Sequence, residues 1–159
     1  MTMKELLRHE LEASREYFER STRVLREEHS GYAPTPDQYT AASQVAHAAI
    51  TIDWFLAGAF GQGFDMNFEE HDAMARGVSS LAVARNMLAS AYAKAIGATV
   101  QHSDEEWNEM FPEGSLLSGP KVAIVYGIVE HTAHHRGALS VYARLLGLKP
   151  LMPYMELPE

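Results

Sequence analysis

The sequence predicts an all-α protein: a four-helix bundle with one short extra helix between the third and the last long helices. Three observations predict it. Four stretches carry apolar residues at alternating spacings of three and four, the period of one helix face. Residues that start and stop helices bracket those stretches. No segment of useful length shows the period-two alternation of a half-buried strand. The chain has 159 residues, 47% of them apolar, which suffices for a core of its own. With no linker, repeat or break in composition, residues 1–159 read as a single domain.

The first helix opens on a capping box, Thr2 with Glu5 three residues on. Its stripe runs through Leu7, Leu11, Ser14, Phe18, Thr22 and Leu25, and Gly31 and Pro34 are expected to end it. The second helix is expected from Thr35-Pro36-Asp37-Gln38. There Thr35 suits the cap, Pro36 the first helical position and Gln38 the closing of a capping box. Its inner face includes Ser43, His47, Ile50 and Trp54, and Gly58, Gly61 and Gly63 mark its exit.

Asn67 with Glu70 is the next start signal. A third helix is expected to run from there through Leu81, Ala84, Leu88, Ala91 and Ala95 and to stop at Gly97. Its small residues allow a neighbouring helix to approach closely. Ser103 with Glu106 starts the short helix, expected through Trp107 and Met110 and ended by Pro112 and Gly114. The last long helix begins near Pro120 and carries Ile124, Ile128, His131, His135, Leu139, Tyr142 and Leu146 inward. Gly147 and Pro150 stop it. The tail from Leu148 to Glu159 holds three prolines and is expected to be irregular.

Composition excludes several functions. There are no cysteines, so disulfides, zinc–thiolate sites and thiol nucleophiles are ruled out. The formal charge of −8 leaves no basic footprint for nucleic acid. No apolar run approaches the ~18 residues of a membrane span, and the charged N-terminus lacks a signal core. A cytoplasmic location is expected. There is no His-Glu-x-x-His motif, no Glu-x-x-His pair, no phosphate loop and no Gly-x-Ser-x-Gly elbow.

Chemistry concentrates in the histidines. Of eight, three crowd into Glu130-His131-Thr132-Ala133-His134-His135. His131 and His135, four apart, share one helix face and can aim two imidazoles at one point, the usual helical grip on a transition metal. Both interrupt an apolar stripe, as His47 does on the second helix. A buried imidazole needs a partner, and either a hydrogen bond in the core or a metal ion meets that need. If the two helices are neighbours, His47, His131 and His135 can converge as three neutral ligands, leaving a coordination position for water or substrate. His134 could replace His135 but reads as surface or as support for the ligands. His9, His29, His71 and His102 fall in loops or at charged helix ends and read as solvated. Met66, Met74, Met87 and Met110 read as core filler, and Trp54 and Tyr142 as packing that could also border the histidines.

The stretch Glu130-His131-Thr132-Ala133-His134-His135-Arg136-Gly137-Ala138-Leu139, continued by Tyr142-Ala143-Arg144-Leu145-Leu146-Gly147-Leu148-Lys149-Pro150, resembles the closing motif of the DinB-like (DinB/YfiT-like) family. Pro112-Glu113-Gly114-Ser115 and Gly119 resemble its lead-in, and His47 falls where the family has its second-helix histidine. One departure is Ala138, where the family commonly has Gln. The resemblance implies an up-up-down-down bundle, often dimeric, with one divalent ion of nickel, zinc or iron type on His47, His131 and His135. It further implies a small-molecule substrate and a metal-dependent, thiol-using S-transferase or related metalloenzyme acting on an electrophile, with a low-molecular-weight thiol as cosubstrate. Two rivals stand beside this: a non-catalytic metal-binding or stress-related accessory bundle, and a structural bundle whose histidines are merely hydrogen-bonded.

Overall fold

The computed structural model describes residues 1–156; the last three residues of the expected irregular tail lie outside the described residues. Among the described residues six helices follow one another: α1 (Met3–Thr22), α2 (Ala41–Phe60), α3 (Phe68–Arg76), α4 (Leu81–Gln101), α5 (Asp104–Asn108) and α6 (Ala123–Leu145). A single 3-10 turn, Glu27–His29, interrupts the first connection. Among the described residues there is no strand, only an isolated antiparallel bridge between Met110 and Pro120. None of these helices is long and apolar enough to cross a membrane.

The four long helices form a square. α2 packs on α4 and α6, and α1 packs on those same two helices from the other side. α1 and α2 therefore lie across one diagonal and α4 and α6 across the other. The core inside is shared by all four: Leu11 and Phe18 of α1, Val45 and Ile52 of α2, Leu88 and Tyr92 of α4, and Ile124, Ile128 and Leu139 of α6 are buried. Trp107 of α5 closes one end of this core and is fully buried.

A buried polar chain crosses this apolar interior. Tyr92 Oη lies 2.9 Å from Ser14 Oγ, and Ser14 Oγ lies 3.0 Å from Thr132 Oγ1. The Thr132 hydroxyl donates to the Ile128 carbonyl at 2.7 Å. That carbonyl can only accept, so the direction is set: Tyr92 donates to Ser14, and Ser14 donates to Thr132. Every member is satisfied, as a buried network must be to avoid a desolvation cost. It ties α1, α4 and α6 together one residue from His131.

Three helix starts follow the expected chemistry. Thr2 with Glu5 and Ser103 with Glu106 form full capping boxes, and the Asn67 side chain caps Glu70 N. Other boundaries differ. α1 ends at Thr22, well before Gly31, because Arg85 of α4 donates to the Thr22 and Leu25 carbonyls and holds the chain in a turn there. α2 starts at Ala41 and not at Thr35, since Thr40 accepts from Ser43 N and is the operative cap. The expected third helix is two helices, α3 and α4. They are broken at 77–80, where Ser80 caps Val83 N and restarts the chain on the inner stripe from Leu81. Gly97 does not stop α4, which runs on to Gln101. α5 ends at Asn108, short of Met110, and α6 begins at Ala123, three residues past Pro120.

Candidate metal centre

α2 and α6 are neighbours, so the condition on His47 is met. His47 stands on the second turn of α2, and His131 and His135 stand one turn apart on the facing side of α6. Each offers a ring nitrogen, and the three nitrogens lie within 4.8 Å of one another. The His131 and His135 Nε2 atoms are 3.2 Å apart. Two nitrogens each about 2.1 Å from one ion lie roughly 3.4 Å apart in a tetrahedral arrangement, so this pair is already near ligand spacing. The His47 ring centroid is 5.2 Å from that of His131 and 4.9 Å from that of His135.

The protonation states suit a cation. Burial is the main cause that pushes His131 down to about 4 and His135 to about 2, with the neighbouring imidazoles adding to it. His47 is lowered as well, again chiefly by burial. All three rings are therefore neutral at pH 7, which is the form that ligates. His47 Nδ1 and His131 Nδ1 are buried with no hydrogen-bond partner among the described residues. Three neutral imidazoles whose ring nitrogens converge, with no salt-bridging carboxylate among them, form a poor structural core and a good soft-to-borderline donor set.

These shifts carry a pH prediction for the metal-free protein. Each ring binds its proton more weakly in the folded chain than at its ordinary value near 6.5. The unfolded state then takes up more protons, so stability falls as pH is lowered through 6.5 and keeps falling toward about 4, where His131 titrates. Melting temperatures measured between pH 7.5 and 4.5 should decline more steeply for the native chain than for His131→Phe. Parallel curves would show that the rings are not the cause.

His135 is held from behind. Its Nδ1 pairs with Oε1 of Gln44, one turn before His47 on α2. Gln44 Nε2 donates to Tyr142 Oη at 3.1 Å, and the Tyr142 hydroxyl donates to the Tyr39 carbonyl at 2.9 Å. An amide thus supports the cluster, but it comes from α2 and not from position 138. Tyr142 is more than packing: it borders the site through that amide. His134 is exposed, 5.0 Å ring to ring from His135, and Glu130 is exposed too. Neither joins the cluster.

The cluster opens on a cavity of about 460 Å³, with His47 and His131 in its wall. Trp54, Phe55 and Phe68 form an aromatic side, and Tyr39, His71 and Asp72 a polar one. Two glycines shape the aromatic side. A Cβ on Gly127 would stand 2.7 Å from the Phe55 ring, and one on Gly58 would stand 2.1 Å from the ring of Phe64, which packs on Trp54. The missing side chains let both rings settle against helix backbone.

On the polar side, the Tyr39 hydroxyl donates to Asp72 at 2.5 Å, and Arg76 donates to the other oxygen of Asp72 at 2.8 Å. Burial and the Asp72 carboxylate push Tyr39 up to about 12, so it keeps its proton. Its ring lies 5.1 Å from that of His47. His71 is not a solvated loop residue; it sits on α3 in the cavity wall, with Nε2 3.2 Å from Asp65 Oδ2. The Asp65 carbonyl accepts from the Trp54 indole at 2.6 Å, which ties the loop before α3 to the aromatic wall. Gln44, Tyr39, His71 and Asp72 escaped sequence reasoning. The partners that bring Gln44, Tyr39 and Asp72 to the site lie 33–103 residues away, and His71 is recognised only by its bond to Asp65 in the loop before α3 and by its place in the cavity wall.

The DinB family model matches residues 1–159. The crystal structure of a DinB-like protein from Bacillus cereus is similar to this one, with a TM-score of 0.71 at 19% identity, over 92% of this chain and 94% of that one. No curated protein matches the sequence.

Proposed function

Because the chain belongs to the DinB family, we propose that it is a divalent-metal-binding protein. In this reading His47, His131 and His135 hold one nickel, zinc or iron ion, and a small molecule meets that ion from the aromatic cavity. The observation that supports it is the meeting of three neutral imidazoles, their nitrogens within 4.8 Å, beside a cavity large enough for a guest, with His47 and His131 in its wall and His135 buried behind them. Three protein ligands leave at least one coordination position for that guest. The donor set suits several ions and selects among them only weakly.

The finer reading is a thiol-using S-transferase. A divalent ion so placed supplies the charge that lets a thiol or water give up its proton near neutral pH. The residues around it do the rest. Trp54, Phe55 and Phe68 hold the apolar part of a guest and keep water from it. Tyr39 presents a protonated hydroxyl already bound to Asp72, and His71, bonded to Asp65, is placed to exchange a proton at the mouth. The thiol sulfur then forms a bond to an electrophilic carbon, and the leaving group departs with the bonding electrons.

Substitution with cobalt tests this reading. The cobalt-loaded protein, titrated with glutathione, cysteine or a small aryl thiol, should develop a sulfur-to-metal charge-transfer band with at least one of them. Tight cobalt binding with no spectral response to any thiol would defeat the transferase reading and leave a metal holder. Failure to bind cobalt, zinc or nickel at all would defeat both.

A further inference from the structure

We propose that Gln44 and Tyr142 form a directional relay that decides which nitrogen of His135 is free to bind an ion. The direction follows from an atom that has no choice. The Tyr39 carbonyl has no proton, so in its 2.9 Å contact with Tyr142 the tyrosine hydroxyl must donate. A hydroxyl has one proton, and that proton is now used. Tyr142 Oη can therefore only accept from Gln44, which turns the amide NH2 toward it at 3.1 Å. The amide oxygen is then forced to face His135 Nδ1. A carbonyl oxygen accepts, so His135 carries its proton on Nδ1 and leaves the Nε2 lone pair toward His131 and His47.

Amide orientation and imidazole tautomer are ordinarily matters of assignment, because oxygen and nitrogen look alike in outline. Here a main-chain carbonyl three bonds of the relay away removes the ambiguity. Three of the four groups are buried, Gln44 at 8% exposed, Tyr142 at 4% and His135 at 5%, and Tyr39 is half-buried. Water cannot easily substitute for a missing link. The neighbouring rings have no such support. His47 Nδ1 and His131 Nδ1 are buried without a partner among the described residues. His135 is thus the preset ligand of the three, and the other two adjust to it. Gln44 and Tyr142 are positioning residues, since neither reaches the point where the three nitrogens converge.

The relay rests on the metal reading for its purpose but not for its existence, so the first readout is taken without metal. In protein labelled with 15N at histidine, the His135 ring should show a protonated Nδ1 and an unprotonated Nε2. Tyr142→Phe removes the acceptor that orients the amide, and Gln44→Leu removes the amide; in both, the His135 tautomers should become mixed. Gln44→Glu keeps an acceptor toward His135 in either protonation state and should keep the native tautomer. Zinc affinity should follow the same order, falling by roughly 10–100-fold in Tyr142→Phe and Gln44→Leu, the usual effect of losing a supporting partner, and largely recovering in Gln44→Glu. Circular dichroism identifies any variant that fails to fold, and the remaining variants then decide. A native His135 protonated on Nε2, or a tautomer and zinc affinity unchanged in Tyr142→Phe, would overturn the relay. A native chain with the expected tautomer but no zinc binding would overturn the metal reading and leave the relay standing.

Discussion

His131→Ala and His135→Ala are each expected to abolish stoichiometric metal binding, whereas His134→Ala is expected to leave it intact. The contrast is informative because the three residues are neighbours in sequence and differ only in direction. His131 and His135 aim their Nε2 atoms to within 3.2 Å of each other, while His134 points to solvent. Removing either inward ring leaves two protein ligands, and the loss in affinity should exceed the roughly 10–100-fold that follows from losing only a supporting partner. A second readout is thermal. An ion present at 100 times its dissociation constant adds about 2.7 kcal/mol to stability. For a chain of this length that is a rise of roughly 5–10 °C in Tm. The native chain and His134→Ala should show this rise on adding zinc and lose it with chelator, and His131→Ala should show neither. Equal metal content in all variants would rule out the assignment of ligands.

Trp107→Ala is expected to cost about 3–5 kcal/mol, the range for emptying a large aromatic site in a core, and so to lower Tm by roughly 6–20 °C. Trp107 is fully buried, and its ring packs edge-on against Phe60 at the end of α2, 4.8 Å between centroids. Its carbonyl accepts from Val122 N just before α6, and Lys121 N is bonded to the Glu109 carbonyl beside it. The buried indole fixes the α5 segment, and the main chain of that segment holds the connection that leads into α6, and with it His131 and His135. The indole N–H has no partner among the described residues. Trp107→Phe should accordingly cost much less than Trp107→Ala, since it relieves an unsatisfied donor while losing only part of the volume. Urea unfolding of the two variants checks this, and a cost below about 1 kcal/mol for Trp107→Ala would show that the end of the core relaxes to fill the gap.

Much of the fold is legible in local chemistry. The Thr2–Glu5 and Ser103–Glu106 boxes need only residues three apart, and both form. The inner stripe of α6 is marked by Ile124, Ile128, Leu139 and Tyr142, all buried, so the inward direction of His135 could be read from its place among them. The errors arise where two local signals compete. Thr35 and Thr40 both suit a helix cap, and what decides for Thr40 is its bond to Ser43 together with Ala41 N bonding back to the Tyr32 carbonyl. The break at 77–80 carries a glycine and two serines, but the capping partner of Ser80 is Val83, which gives no acidic signal. Gly97 looks like a stop and is not one, because α4 continues until Ser103 begins another cap. At the site, the three histidines are visible as polar intrusions on apolar faces. Gln44 looks like any polar residue near a helix start, and Asp72 like any surface acid. Their partners are set by the packing of α2 against α6 and of α3 against the cavity, which no spacing in the sequence encodes.

The square arrangement also sets an order of events during synthesis. The histidine on α2 is made early, and its two companions lie on the last helix, 88 residues later (135 minus 47). At typical translation rates of about 5–20 residues per second, roughly 4–18 s separate them. Throughout that interval His47 stands without the two α6 histidines that it meets in the finished bundle. α6 is also the helix that fills the groove between α1 and α2, so the event that completes the ligand set is the same one that closes the core. In the metal reading proposed above, the three-histidine site therefore comes into being only with the finished bundle.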